Sequence, residues 1–101
     1  MRWSMLILLA LLVAGCGSNP ARLDGSSQAA YEKSLEAVRA ELGADDLARF
    51  NGAVSVVGMA GENLVEAAGD PEAALVRARG RLDGMTAAEV IARADELRGG
   101  R

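Results

Sequence analysis

Apolar residues run unbroken over residues 5–13, and after that they recur at helical spacing. Tyr31, Leu35, Val38 and Leu42 stand at i, i+4, i+7 and i+11, with Glu32, Lys33, Glu36 and Arg39 on the other side. This predicts a first helix from Ser26 or Ser27 to Leu42, since a serine oxygen caps an orphan backbone N–H well. A second helix is predicted from Asp45-Asp46, with Leu47, Phe50, Val54, Val57, Gly61, Leu64 and Ala68 as its inner stripe. Residues 53–60 are apolar nearly all round, which predicts the most buried helix. Gly52, Gly58 and Gly61 each weaken a helix by ~1 kcal/mol relative to Ala, so close approach of a neighbouring backbone is expected there. The valines of residues 53–57 also allow a strand, but a lone strand without a partner would be poorly satisfied.

Asp70-Pro71-Glu72 marks a third start: an N-cap, a proline at the first helical position and an acid in the first turn. Leu75, Ala78 and Leu82 form its apolar face. Arg77 and Arg81 share one side, Arg79 points elsewhere, and all three read as solvated surface charges. Thr86-Ala87-Ala88-Glu89 is a capping box, and Met85 and Val90 occupy the positions of a hydrophobic staple. Val90, Ile91, Ala94 and Leu97 then face the core of a fourth helix. The pattern predicts an all-α fold: a small bundle of about four short helices over residues 26–98, with residues 99–101 as a frayed tail.

Ahead of the bundle, Arg2, the apolar run and the small pair Ala14-Gly15 before Cys16 follow the plan of a secretory signal peptide. At ~1.5 Å per residue, residues 5–14 cover about half of a ~30 Å hydrocarbon layer, so the run reads as an export signal rather than a permanent span. Val13-Ala14-Gly15-Cys16 resembles the lipobox of bacterial lipoproteins. The resemblance implies that residues 1–15 are cleaved, that Cys16 carries a diacylglycerol thioether, and that its new amino group is acylated, as with palmitate. One acyl chain holds only reversibly at ~0.8 kcal/mol per buried CH₂, while two or more hold well. In lipoproteins of double-membraned bacteria Asp after the cysteine favours inner-membrane retention, so with Gly17 there the resemblance implies the periplasmic face of the outer membrane. Cleavage without lipid, an uncleaved anchor and a structural buried cysteine are the rival readings, the last set back because the stretch Cys16-Gly17-Ser18-Asn19-Pro20 has nothing to bury it. Residues 16–25 read as the lipidated cysteine and a flexible tether, because Gly, Ser, Asn and Pro20 give no apolar face.

Composition narrows the chemistry. The 101-residue chain has a formal charge of −3, which gives it no electrostatic reason to seek nucleic acid. Its single cysteine excludes an internal disulfide. Histidine is absent, so a nucleophilic triad lacks its base, and Ser34 and Ser55 sit in helices without an activating partner. Zinc lacks Cys and His ligands, Asp45-Asp46 is no calcium loop, and Gly58-Met59-Ala60-Gly61 is no P-loop. No catalytic residue, cofactor or metal site is assigned. Glu62 and Glu66, one turn apart, are the one acid/base candidate: buried together they would repel and one pKa would rise. The plainer reading is a solvated rim with Arg77, Arg79 or Arg81 available to pair.

Leu23-Asp24-Gly25 precedes Ser26, and Leu82-Asp83-Gly84 precedes Met85-Thr86, which reads as one local turn chemistry used twice. With Cys16, Ser27, Tyr31, Ser34, Leu35 and Asp70-Pro71-Glu72-Ala73-Ala74, and with the run from Leu82 through Glu89 and Val90 to Ile91, these motifs resemble a family of small bacterial lipoproteins catalogued as a domain of unknown function. The resemblance would span nearly all of the mature chain and implies no activity, cofactor or catalytic residue. The expectation is a non-catalytic, lipid-anchored envelope protein, a structural or interaction module with a protein partner. The alternative is a binding module for a small apolar ligand or lipid, built on the Gly- and Met-containing wall of residues 54–61. The sequence leaves homo-oligomerisation through the glycine faces of the second helix undecided.

Overall fold

The structure, a computed structural model, describes residues 19–99; the leader, the lipobox Val13, Ala14, Gly15 and Cys16, and the last two residues lie outside the described residues. The described part is all-α, with five helices: α1 Gln28–Ala40, α2 Ala44–Gly58, α3 Leu64–Gly69, α4 Pro71–Leu82 and α5 Ala87–Gly99. Among the described residues no helix is long and apolar enough to cross a membrane.

The starts follow the local chemistry. Ser27 Oγ accepts from the Ala30 N–H at 3.0 Å, and Asp70 Oδ1 accepts from the Ala73 N–H at 3.1 Å. At α5 the capping box closes in both directions: the Glu89 N–H donates to Thr86 Oγ1 at 3.2 Å and the Thr86 N–H donates to Glu89 Oε1 at 3.0 Å. Thr86→Ala is therefore expected to lower stability by about 1 kcal/mol. A thermal melt followed by circular dichroism should show Tm falling by roughly 4–8 °C. Thr86→Ser, which keeps the oxygen, should recover most of it.

α2 is the centre of the packing, against α5 first and α4 second. Its Phe50, Ala53 and Val57 are buried with Val38 of α1, Leu82 of α4, and Val90 and Ala94 of α5. Tyr31, Leu35, Leu42, Ile91 and Leu97 pack around them, so these predicted stripes are in place. Residues 53–57 are helical, not a strand.

The predicted second helix breaks. α2 ends at Gly58, Gly61 turns the chain at φ +73°, and Asn63 starts α3 by accepting from the Val65 and Glu66 N–H groups at 2.9 and 3.1 Å. A left-handed residue cannot continue a right-handed helix, and glycine adopts that conformation without a Cβ clash. Leu64 and Ala68 therefore leave the inner stripe and are exposed. The glycines also act differently from expectation. A Cβ at Gly58 would meet the Ala78 and Leu82 side chains at 3.6 and 3.7 Å, and one at Gly52 would meet Arg98 at 3.7 Å, all ordinary contacts. Close backbone approach occurs instead at Gly25, where a Cβ would overlap the Arg79 carbonyl.

The second correction concerns the tether. Residues 21–25 are packed, with Leu23 only 2% exposed and part of the core. The Leu23 N–H donates to the Met85 carbonyl at 2.9 Å, and the Gly84 N–H donates to the Leu23 carbonyl at 2.8 Å. The Gly25 N–H donates to Asp83 Oδ1 at 2.7 Å, and the Ala21 N–H to the Glu41 carboxylate at 3.1 and 3.2 Å. The segment alternates inward Ala21 and Leu23 with exposed Arg22 and Asp24, the period of an extended chain with one face buried. The two Leu-Asp-Gly copies thus lie against each other. Asp24 serves its own turn, accepting from the Ser26 hydroxyl and N–H, while Asp83 reaches across to Gly25.

Candidate functional site

The break between α2 and α3 puts Glu62 under α4. Its side chain is 3% exposed and lies between Arg77 and Arg81, one turn apart on α4. Arg81 donates to Glu62 Oε2 at 2.8 Å, Arg77 Nε donates to the same oxygen at 3.4 Å, and the Arg77 terminal nitrogen pairs with Oε1. Arg81 also donates to the Gly58 carbonyl at 2.6 Å, so it satisfies an orphan acceptor at the negative end of α2. These two arginines are a clamp, not the solvated charges that their spacing suggested.

The clamp acts on the ionisation of the acid/base candidate. Hydrogen bonds from Arg77, and then from Arg81, hold the Glu62 carboxyl down from the ordinary 4.5 to about 2, against the opposing effect of burial. Glu62 in turn raises the Arg77 guanidinium. Glu66 is exposed on α3, so the two carboxylates are not buried together. A carboxylate that stays ionised and saturated by arginines is poorly matched to proton transfer near neutral pH. Because the unfolded carboxyl binds its proton at higher pH than the folded one, the contribution of Glu62 is whole above about pH 4.5 and is lost as pH falls towards 2. Glu62→Gln should be less stable than the parent at neutral pH, and the gap should narrow through that window. Denaturant melts at a series of acid pH values measure it.

Beyond the clamp, α3 and α4 carry apolar side chains that nothing covers. Leu64 and Val65 of α3 are 69% and 83% exposed, and Leu75 and Val76 of α4 are 54% and 55% exposed. Leu75 belongs to the apolar face predicted with Ala78 and Leu82, yet only Leu82 enters the core. The reason is the length of α2: it stops at Gly58, opposite Ala78 and Leu82, and only the six-residue α3 follows it alongside α4. Along α4, Asp70, Glu72, Ala73, Leu75, Val76 and Arg79, with Gln28 from α1, line an open groove of about 560 Å³. Arg79 donates to Gln28 Oε1 at 2.9 Å, while its Nε is buried with no hydrogen-bond partner.

Other expected features fall elsewhere. The wall over residues 54–61 that would frame an apolar groove is divided: Val57 and Gly58 are buried and Val54 and Val56 pack against the core, while Met59 and Gly61 are exposed. Of the three glycines expected to form an oligomer face, Gly58 packs against Ala78 and Leu82 of α4, while Gly52 and Gly61 are exposed. Among the described residues no group of three or more His, Cys, Asp or Glu is placed to hold a metal. Sequence reasoning missed the uncovered α4 stripe and the break, although Asn63 three residues before Glu66 is a helix-start signal.

The model of DUF6694, a family of unknown function, matches residues 2–99. No curated protein and no solved structure matches the chain.

Proposed function

We propose, from the premise that the chain belongs to DUF6694, that it is a non-catalytic, lipid-anchored protein of the bacterial envelope, a helical interaction module held through Cys16. The observation that carries the reading is the order Val13-Ala14-Gly15-Cys16 behind an apolar run, with a folded domain starting to pack five residues later at Ala21. In this reading the leader is cut before Cys16, its sulfur forms a thioether to diacylglycerol, and its amino group takes a further acyl chain such as palmitate. The chains hold by burial of their methylenes, at ~0.8 kcal/mol each. The spacer is then residues 17–20, and its reach from Cys16 to Ala21 is at most about 18 Å, so the bundle rides close to the lipid. Gly17 favours the periplasmic face of the outer membrane.

Two features support an interaction role over catalysis. Glu62 is locked as a structural anion, and the exposed Leu64, Val65, Leu75 and Val76 form apolar surface that the fold itself does not use. The test is fractionation of cells carrying Cys16→Ser beside the parent. The parent is expected in the membrane fraction and the variant out of it. Equal membrane retention of the two overturns the anchor.

A further inference from the structure

We infer that the exposed stripe of α4 is a docking face for a second copy of this chain, laid antiparallel across a two-fold axis between residues 75 and 76. This deepens the interaction-module reading above and rests on it. Glu72, Leu75, Val76 and Arg79 stand at i, i+3, i+4 and i+7, one stripe of one helix, and all four line the same groove. The stripe is acidic at one end, apolar in the middle and basic at the other. Its charges are equidistant from its centre, which falls between Leu75 and Val76. An antiparallel copy therefore sets Glu72 of each chain against Arg79 of the other, with Leu75 and Val76 meeting between them. That is the self-complementarity an isologous interface requires. A parallel copy would set Glu72 on Glu72 and Arg79 on Arg79, so the charges specify the polarity as well as the partner.

Both charges are available for this. Among the described residues neither Glu72 nor Arg79 has an ion-pair partner within its own chain. Gln28 already holds the Arg79 guanidinium, which reduces the freedom it loses on pairing. The stripe is smaller than the ~800 Å² per partner of a stable dimer, so the contact is weak in dilute solution. Two copies held on one membrane face meet at a raised effective concentration, and a weak contact suffices there.

The experiment uses the full chain in intact envelopes. Val76→Cys places a thiol beside the axis, and Glu36→Cys places one on the exposed side of α1. The parent, whose one cysteine is Cys16, sets the background. Mild oxidation followed by a non-reducing gel should show a dimer band for Val76→Cys well above both Glu36→Cys and the parent. Adding Glu72→Arg should reduce that band roughly tenfold by opposing like charges. Adding Glu72→Arg and Arg79→Glu together should restore it. A Val76→Cys band no stronger than that of Glu36→Cys, one indifferent to the charge changes, or one at the size of a different protein overturns the dimer. Membrane recovery of the same samples reports on the anchor separately. Chains that stay in the membrane fraction without crosslinking overturn the dimer alone, whereas a parent found in the soluble fraction overturns the anchor whatever the gel shows.

Discussion

Phe50→Ala is expected to destabilise the domain by about 3–5 kcal/mol, the largest effect of any single truncation in this fold. Phe50 is 0% exposed and, among the described residues, is the largest fully buried side chain, placed where α2 meets the other helices. Its surroundings include Ala53 and Ala94, residues too short to move into the space left behind. The loss is therefore the transfer free energy of the ring plus an unrelaxed cavity. At ~0.05–0.15 kcal/mol per residue, the region over residues 19–99 has roughly 4–12 kcal/mol of stability to begin with. A thermal melt of the detergent-extracted chain should show Tm lower by ~15 °C or more, or no cooperative transition at all. Leu75→Ala is the control. Leu75 also sits on a predicted core stripe but is 54% exposed, and its truncation should change stability by no more than about 0.5 kcal/mol.

Leu23→Ala is expected to cost about 2–4 kcal/mol, although the residue precedes the first helix. Were residues 16–25 a flexible tether throughout, the substitution would be silent. In the structure Leu23 fills the core and its backbone exchanges hydrogen bonds with Gly84 and Met85, so the loss is a cavity and a loosened edge together. Gly25→Ala attacks the same segment from the other end, because its new Cβ would overlap the Arg79 carbonyl and force the chain away from α4. Hydrogen exchange separates the two readings directly. In the parent the Leu23 and Gly84 amides should be protected, and in either variant both should exchange early. Rapid exchange at Leu23 in the parent would mean that the segment is not part of the fold.

These two residues also show what could be read along the chain and what could not. Phe50, Val57, Leu82, Val90 and Ala94 were legible as core because helical spacing puts them on apolar stripes and the stripes meet. Ser27, Asp70 and Thr86 were legible as caps because a cap is chemistry within three residues. Leu23 was not, since its alternating segment is too short to stand out and its partner, Met85, is far along the sequence. The break at Gly61 was masked because the apolar period stays in phase from Val57 through Leu64, while Gly61 and Asn63 carry the contrary signal. The Glu62 clamp needed that break: in a continuous helix Glu62 would share the regular surface with Glu66 instead of turning under α4. Exposure of Leu75 followed from the same event, because shortening α2 uncovers one end of α4. One misread turn thus accounts for the altered chemistry of Glu62 and for the surface offered to partners.

The most direct test of the anchored-module account is the intact mass of the protein extracted from membranes with detergent. The predicted species begins at Cys16 and carries a diacylglyceryl group on sulfur and an acyl chain on the terminal amine. A chain still bearing residues 1–15, or one cut elsewhere with its cysteine unmodified, would contradict the account.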